Sequence, residues 1–290
     1  MFKNKPVIML SSTYNLNSGG KIPALGLGTW TLQGSTCTQI VERAFQVGYK
    51  HFDTAQMYCN EADVGAALKH YDREKIFVTT KVAPWNQGYE KAYQSTLESL
   101  RNLDMEYIDL VLIHWPGVNE LPPNSPSQPG VRNDSWRALE KLVEKGCVKN
   151  IGVSNFMVRH LESLYEVCSI QPCVNQIEFH PMCHNEEVLE YCKDLGVVVG
   201  AYCPLAQRDS YLWNNSAVNE LSLKYRKEKA QVLLKWCIQK GVYVIPKTKT
   251  FHRLLTNSKL DFSLSQSDME RLDSLNCFRR KDWNPNLILY

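Results

Sequence analysis

Short apolar runs alternate with longer amphipathic stretches along most of this chain, and that alternation restricts the possible folds more than any single residue does. Each apolar run is too short for a helix and reads as a strand, while the stretches between carry apolar residues at helical spacing. Strands are expected over 24–28, 50–53, 76–81, 108–114, 148–154, 174–178, 197–202 and 242–246. Helices are expected over 37–47, 60–70, 89–103, 135–145, 157–167, 186–195, 229–240 and 253–260, with a further one over 265–275 before an irregular tail. In the first helix Ile40, Val41, Ala44, Phe45 and Val47 form one apolar face. The run IDLVLIH at 108–114 has the texture of a strand buried on both faces. A hairpin over 7–21, turned at Gly19-Gly20, precedes the first unit. Residues 115–134, rich in Pro, Ser and Asn, read as an excursion rather than a linker, because the repeat resumes unchanged on both sides. After the seventh strand a polar loop delays the helix until residue 229.

Strand-helix units repeated over about 250 residues fit a (β/α)8 barrel better than a doubly wound sheet. Periodicity alone does not separate the two. The dinucleotide fingerprint GxGxxG of the doubly wound class follows no strand: Gly26-Leu27-Gly28 comes nearest, and Thr31 stands where the third glycine belongs. The expected architecture is therefore α/β, a (β/α)8 TIM barrel spanning residues 1–290 as one domain.

Charge and composition remove several classes of partner. Thirty-three Lys and Arg against 30 Asp and Glu leave a net +3, and no basic block is dense enough for a nucleic-acid stripe. The apolar part of the first 15 residues is confined to 7–10, too short for the core of a signal peptide. No segment approaches the roughly 18 apolar residues of a membrane span, so a soluble, cytoplasmic chain is expected. Ten cysteines without a CxxC pair are expected to stay reduced. His180, Cys183, His184 and Glu187 have a spacing that could gather metal ligands, but the same residues read as a strand end, a Pro turn and a helix start with Asn185 near its cap. The second reading is preferred, and no metal is expected.

Three consecutive strands end in polar residues that are costly to bury without a purpose: Asp53, Lys81 and His114. Tyr58 follows Asp53 on a loop. Adjacent strands lie about 4.8 Å apart, so the four side chains can share one small volume at the barrel edge where chemistry is usually sited. A phenol is a poor acid at neutral pH, and a neighbouring ammonium is expected to lower its pKa. Asp53 would keep Lys81 charged, and a neutral His114 could orient a substrate oxygen. The alternative is a structural ion pair beside a satisfied histidine, which explains each residue singly and the coincidence of four less well.

The segments GLGTW, FDTAQMYCNE, FVTTK, LIHWPG, IGVSNF, VNQIEFHP, AYCPL and IPKTKTFHRLLTN occur in this order between Gly26 and Asn257. Together they resemble the aldo-keto reductase superfamily. The resemblance implies a (β/α)8 barrel with an N-terminal hairpin capping its bottom and a short C-terminal tail. It also implies NADPH-dependent reduction of aldehydes and ketones, with Asp53, Tyr58, Lys81 and His114 as catalytic tetrad and Tyr58 as proton donor. Ser154, Asn155 and Gln176 resemble the groups that hold the nicotinamide carboxamide, and Tyr202 the ring that stacks on the nicotinamide. Lys247, Thr248 and Arg253 would hold the 2′-phosphate and Asn257 the adenine, which favours NADPH over NADH. Gly28, Thr29, Trp30, Asp53, Cys203 and Leu205 complete the implied cofactor contacts.

Four positions depart from the family pattern: Cys203 replaces a common Ser, Ala206 a common Gly, Thr256 a common Glu, and Trp85 in VAPWN lies further from the lysine than the usual pocket tryptophan. The substrate pocket is expected to be lined by Trp30, Tyr58, Trp85, His114 and Trp115, with residues 276–290, including Trp283 and Tyr290, closing over an open, tolerant mouth. Oxidation at Cys59 or Cys203 would disturb the neighbouring tyrosines, although inert packing is the plainer reading. The expected partner is a small carbonyl compound acting on a monomer. A non-catalytic NADPH-binding barrel, crystallin-like or channel-associated, would retain the cofactor residues without the acid. A metal-dependent barrel hydrolase would need more His and carboxylate at the strand ends than this chain supplies.

Overall fold

The computed structural model describes residues 11–290. Strands β1 (Thr13–Asn15) and β2 (Lys21–Pro23) pair antiparallel. Residues 7–10 of the expected hairpin, and the short apolar stretch weighed as a signal core, lie outside the described residues. Eight parallel strands follow: β3 (Gly26–Gly28), β4 (His51–Asp53), β5 (Phe77–Val82), β6 (Ile108–Ile113), β7 (Val148–Ser154), β8 (Val174–Glu178), β9 (Val198–Tyr202) and β10 (Tyr243–Val244). They hydrogen-bond in chain order. A parallel bridge between Leu25 and Val244, with the Val244 N–H on the Ala24 carbonyl at 3.0 Å, brings the last strand back to the first. The sheet is thus a nearly closed barrel, as the repeat predicts.

The helices are α1 (Gly34–Val47), α2 (Glu61–Leu68), α3 (Tyr89–Leu103), α4 (Gln128–Glu144), α5 (Val158–Tyr165), α6 (Glu186–Asp194), α7 (Ser210–Trp213), α8 (Ser216–Tyr225), α9 (Lys229–Gln239), α10 (Phe251–Ser258) and α11 (Gln266–Asp273). Helix α1 buries Cys37, Ile40, Val41 and Ala44 on one face. It stops at Gly48, whose φ of 113° is left-handed and lets its N–H reach the Ala44 and Phe45 carbonyls.

Two stretches differ from the sequence expectation. Helix α4 begins at Gln128, seven positions before residue 135, with Pro129 in its first turn, where a missing N–H costs nothing. Gln128 is buried, and its side chain accepts from the Val118 N–H at 2.7 Å, tying the excursion to the helix that ends it. The stretch between β9 and α9 is not simply a polar loop but contains α7 and α8. Asp209 and Asn215 start them by accepting from the N–H groups of Tyr211 and Ala217. These are short helices with polar caps, and a search for apolar periodicity passes over them.

The barrel interior is filled by large rings set against glycines. A Cβ at Gly200 would lie 2.1 Å from the Tyr243 ring, and one at Gly26 would lie 2.6 Å from His51. Below these, Leu16 and Ile22 of the hairpin join Leu110, Leu112, Val174 and Tyr243 in one apolar cluster. Asn17 donates to the Pro172 carbonyl just before β8, and Ser18 to Asn150 near the start of β7. The hairpin therefore closes the end of the barrel where the strands begin.

At the opposite end the tail after α11 is bound by polar side chains, of which Glu178, Arg132 and His160 are buried. The N–H groups of Lys281 and Asp282 donate to the two oxygens of Glu178, at 2.6 and 3.2 Å. Arg159 donates to the Ile288 carbonyl at 2.6 Å and Arg132 to that of Tyr290 at 3.0 Å. His160 accepts the Met157 N–H on Nδ1 and meets the Ile288 carbonyl through Nε2, an arrangement suited to the neutral ring.

Burial pushes the imidazoles of His51 and His160 down to about 3. A base with a depressed pKa is protonated more readily in the unfolded chain, so its stabilising effect is present above pH 6.5 and is lost as pH falls toward the folded value. Urea denaturation between pH 7 and 4 should therefore show the parent losing more stability than His160→Gln, by about 1.4 kcal/mol per pH unit below 6.5. Parallel losses in the two proteins would contradict the neutral assignment.

Candidate active site

A cavity of about 920 Å³ opens where the barrel strands end. On its floor Asp53 closes β4, Lys81 lies one residue before the end of β5, and His114 follows β6. Asp53 is paired in the sheet with Thr79, so Lys81, two residues on, points to the same face of the barrel. Its Nζ donates to Asp53 Oδ1 at 2.5 Å, to the Thr54 carbonyl at 2.9 Å and to the Tyr58 hydroxyl at 3.4 Å. All three ammonium protons have acceptors.

Tyr58 ends a 3-10 turn, Gln56–Tyr58. Gln56 fixes that turn by accepting from the Ala83 N–H and from Asn86, both at 2.9 Å. Asn60, expected as a helix start, acts as a staple: it donates to the Thr29 and Leu32 carbonyls and accepts from Thr54. The Tyr58 ring then meets His114 edge to face, centroids 5.7 Å apart. The four residues singled out at the strand ends and the following loop thus come together.

Burial pushes the Asp53 carboxyl up and the Lys81 ammonium down, and each partner opposes that shift in the other. Three acceptors around Nζ, with Gln176 donating to Asp53 Oδ2 at 2.7 Å, provide the full solvation that an ionised pair requires. Burial, then the Asp53 charge, pushes the Tyr58 phenol well above 10. This reverses the sequence expectation of a phenol acidified by Lys81, because burial disfavours the phenolate and Asp53, which neutralises the ammonium, repels it as well. Burial, with Lys81 second, holds His114 well below 6.5, so its ring is neutral.

Along the wall, Gly28, Thr29 and Trp30 line the cavity beside Asp53, and Trp115 lines it beside His114. Trp85 does not: it follows Pro84 in a turn whose proline reaches the cavity while the indole is 44% exposed elsewhere. Asn155, Gln176, Tyr202, Cys203 and Leu205 form the middle of the wall. Asn155 has a left-handed φ of 66° and accepts from the Tyr202 hydroxyl at 2.8 Å. Ser154 is buried behind it, donates to the Gln176 carbonyl, and does not line the cavity. Burial raises the Cys203 thiol to about 12, which leaves it a thiol at neutral pH. Ala206 takes φ 47°, which explains why glycine suits that position.

At the far end lie Lys247, Thr248, Lys249, Arg253 and Asn257, the last two on one face of α10. Arg208 also lines the cavity, stacked on Trp213 at 4.4 Å. Among the described residues, Arg208, Lys247, Lys249 and Arg253 have no ion pair, and the buried Asn257 Oδ1 has no hydrogen-bond partner. An elongated space with free cations and an orphaned acceptor at one end fits a phosphorylated dinucleotide. Thr256 does not reach the cavity and back-bonds to the Arg253 carbonyl. Arg208, Trp213, Glu228 and Asp282 also line the cavity; Arg208, Trp213 and Glu228 sit in the stretch read as polar loop, where the aromatic after a capping Asp was the available signal.

The residues weighed as metal ligands are divided between two groups. His180 is taken by Glu178 at 2.9 Å, while His184 lies near Glu186 and Asp273, both paired with Lys240.

The Aldo/keto reductase family model matches residues 24–277. A glyoxal reductase from Bacillus subtilis is 40% identical, the match covering 97% of this chain and 99% of that one. A 9,11-endoperoxide prostaglandin H2 reductase from Trypanosoma cruzi is 38% identical over 96% of this chain and 97% of its own. Among solved structures, a Bombyx mori aldo-keto reductase in complex with NADP superposes with a TM-score of 0.88 at 30% identity, covering 98% of both chains.

Removing one partner of the buried pair should be worse than removing both. Asp53→Ala is expected to lower stability by about 3–5 kcal/mol, and Asp53→Ala with Lys81→Met by clearly less. Chemical denaturation of the two proteins decides; equal losses would mean that the ammonium is not stranded.

Proposed function

This chain belongs to the aldo/keto reductase family, and on that premise we propose that it is an NADPH-dependent reductase of aldehydes and ketones. The observation that carries the reading is the Lys81 ammonium touching both Asp53 and the Tyr58 hydroxyl at the floor of the cavity. When bound, the dinucleotide supplies hydride to the carbonyl carbon.

Tyr58 is the proton donor in this reading. Its raised pKa keeps the phenol loaded in the resting site. The 3.4 Å contact from Lys81 is long while the phenol is neutral and gains an ion-pair component as the proton leaves, so it favours the transition state over the ground state. Asp53 holds that ammonium in one position. Neutral His114 offers a ring N–H to the carbonyl oxygen and sets its distance from Tyr58. Gln176 acts through Asp53 as a positioning residue.

Lys247, Thr248 and Arg253 would hold the 2′-phosphate, Asn257 the adenine, and Tyr202, Asn155 and Gln176 the nicotinamide. Ser154 contributes by fixing Asn155, which donates to its hydroxyl at 3.1 Å. Trp30 and Trp115 give the reacting end an apolar wall. The relative named a glyoxal reductase makes glyoxal a first substrate to assay.

NADPH oxidation followed by absorbance should show kcat/KM for Tyr58→Phe lower by about 10²–10⁴, with NADPH affinity by tryptophan fluorescence within about twofold of the parent. Equal rates would reject Tyr58 as the acid. Arg253→Ala should reduce the preference for NADPH over NADH by about tenfold or more, and an unchanged preference would remove Arg253 from the phosphate site.

A further inference from the structure

The two ends of the cavity carry opposite charge. The far end gathers Lys247, Lys249 and Arg253, whereas the end around Tyr58 is aromatic and holds two carboxylates, Asp53 and Asp282. Asp53 is neutralised by Lys81. Asp282 has no ion pair among the described residues, and its position is built rather than incidental.

Glu178, 2% exposed at the end of β8, accepts from the N–H groups of both Lys281 and Asp282, which pins that part of the tail to the barrel. The Lys281 side chain turns away to Asp209 at 2.8 Å. Asp282 Oδ1 accepts from the Trp283 N–H at 2.8 Å, and the Trp283 ring stands edge-on to Trp115 at 5.8 Å. The carboxylate is thereby held at the cavity mouth beside the paired indoles and close enough to Tyr58 and Tyr202 for its charge to oppose their ionisation. The Arg280 charge reaches Asp282 and Tyr202 but makes no ion pair with the carboxylate, and Arg280 lines a second recess with Glu178 and Asn155.

We propose that Asp282 sets the charge selectivity of the substrate mouth, disfavouring carbonyl compounds that carry an anionic group and favouring neutral or cationic ones. The proposal rests on the reductase reading above. A carbonyl seated at Tyr58 must extend the rest of the molecule toward the mouth that Trp115, Asp282 and Trp283 line. Asp282 is exposed at this rim, so its charge acts on the protruding part of a bound substrate through a screened Coulomb interaction that a like charge makes unfavourable.

The test compares 4-carboxybenzaldehyde, benzaldehyde and 4-(trimethylammonio)benzaldehyde as substrates with NADPH, at mildly alkaline pH, for the parent, Asp282→Asn and Asp282→Glu. Asparagine retains the acceptor for the Trp283 N–H, so the tail geometry is preserved. In Asp282→Asn the kcat/KM ratio of the carboxylate to benzaldehyde should rise about five- to tenfold, and that of the trimethylammonio compound should fall by a similar factor. Asp282→Glu should keep the parent ratios, and added salt should compress the difference between parent and Asp282→Asn. Ratios in Asp282→Asn within about twofold of the parent would overturn the charge filter and leave the reductase reading standing. Failure of the parent to reduce any of the three would overturn both.

Discussion

An ammonium ion inside a barrel is tolerable only when its protons and its charge are all answered, and the Lys81 site meets that condition with one carboxylate, one backbone carbonyl and one phenol. The condition reaches far into the fold. Asp53 must end β4 opposite Thr79 of β5, Gln176 must come from β8 across the barrel, and the turn carrying Tyr58 must be locked by Gln56. A slip of one residue between β4 and β5 would turn Lys81 toward the helices and leave Asp53 buried alone. Barrel register and proton chemistry are therefore one constraint, and the glycines that admit Tyr243 and His51 to the interior belong to it, because those rings set how closely the strands approach.

The fold was legible because period and length carry it. The strands at 148–154 and 174–178 and the helix at 89–103 coincide with β7, β8 and α3, segments bounded by clear turns and of a length that suits one element each. Where burial is achieved by a few capped residues the pattern fails, as in α7, α8 and the first turns of α4. In the site, Asp53, Lys81 and His114 stand out because charged or polar groups close apolar strands. Glu178 closes β8 in the same way, and the same signal would have marked it as the anchor of the tail. The direction of the Tyr58 shift was not legible, since it depends first on how completely the folded barrel buries the phenol and then on the Asp53 charge beside it, neither of which residue types encode. Trp85 and Ser154 lie off the cavity lining for a related reason: a motif gives the neighbourhood, but which of two adjacent side chains faces the cavity depends on local turns.

Two segments from distant parts of the chain border the cavity opening. The stretch after β9 turns through left-handed residues at Cys203, Ala206, Gln207 and Arg208, a costly local path for residues with a Cβ. The tail crosses at 279–283. Asp209 ties them together, with Lys281 at 2.8 Å and Arg279 at 3.1 Å. A long molecule occupying the cavity meets the first segment along its middle and the second at the reacting end, so the two rims are mechanically connected through one carboxylate.

The anchoring of the tail also separates chemistry from selection. Arg132, Arg159, His160 and Glu178 hold tail backbone atoms, and hydrogen bonds to carbonyls and N–H groups do not depend on which side chains the tail carries. Positions such as Asp282 and Trp283 can therefore change what the mouth accepts while the path of the tail stays fixed. The Lys81 network lies below them on strands and receives no hydrogen bond from the tail among those described. A fold arranged in this way keeps its proton donor on the rigid barrel and places the residues that meet the variable part of a substrate on an exchangeable rim.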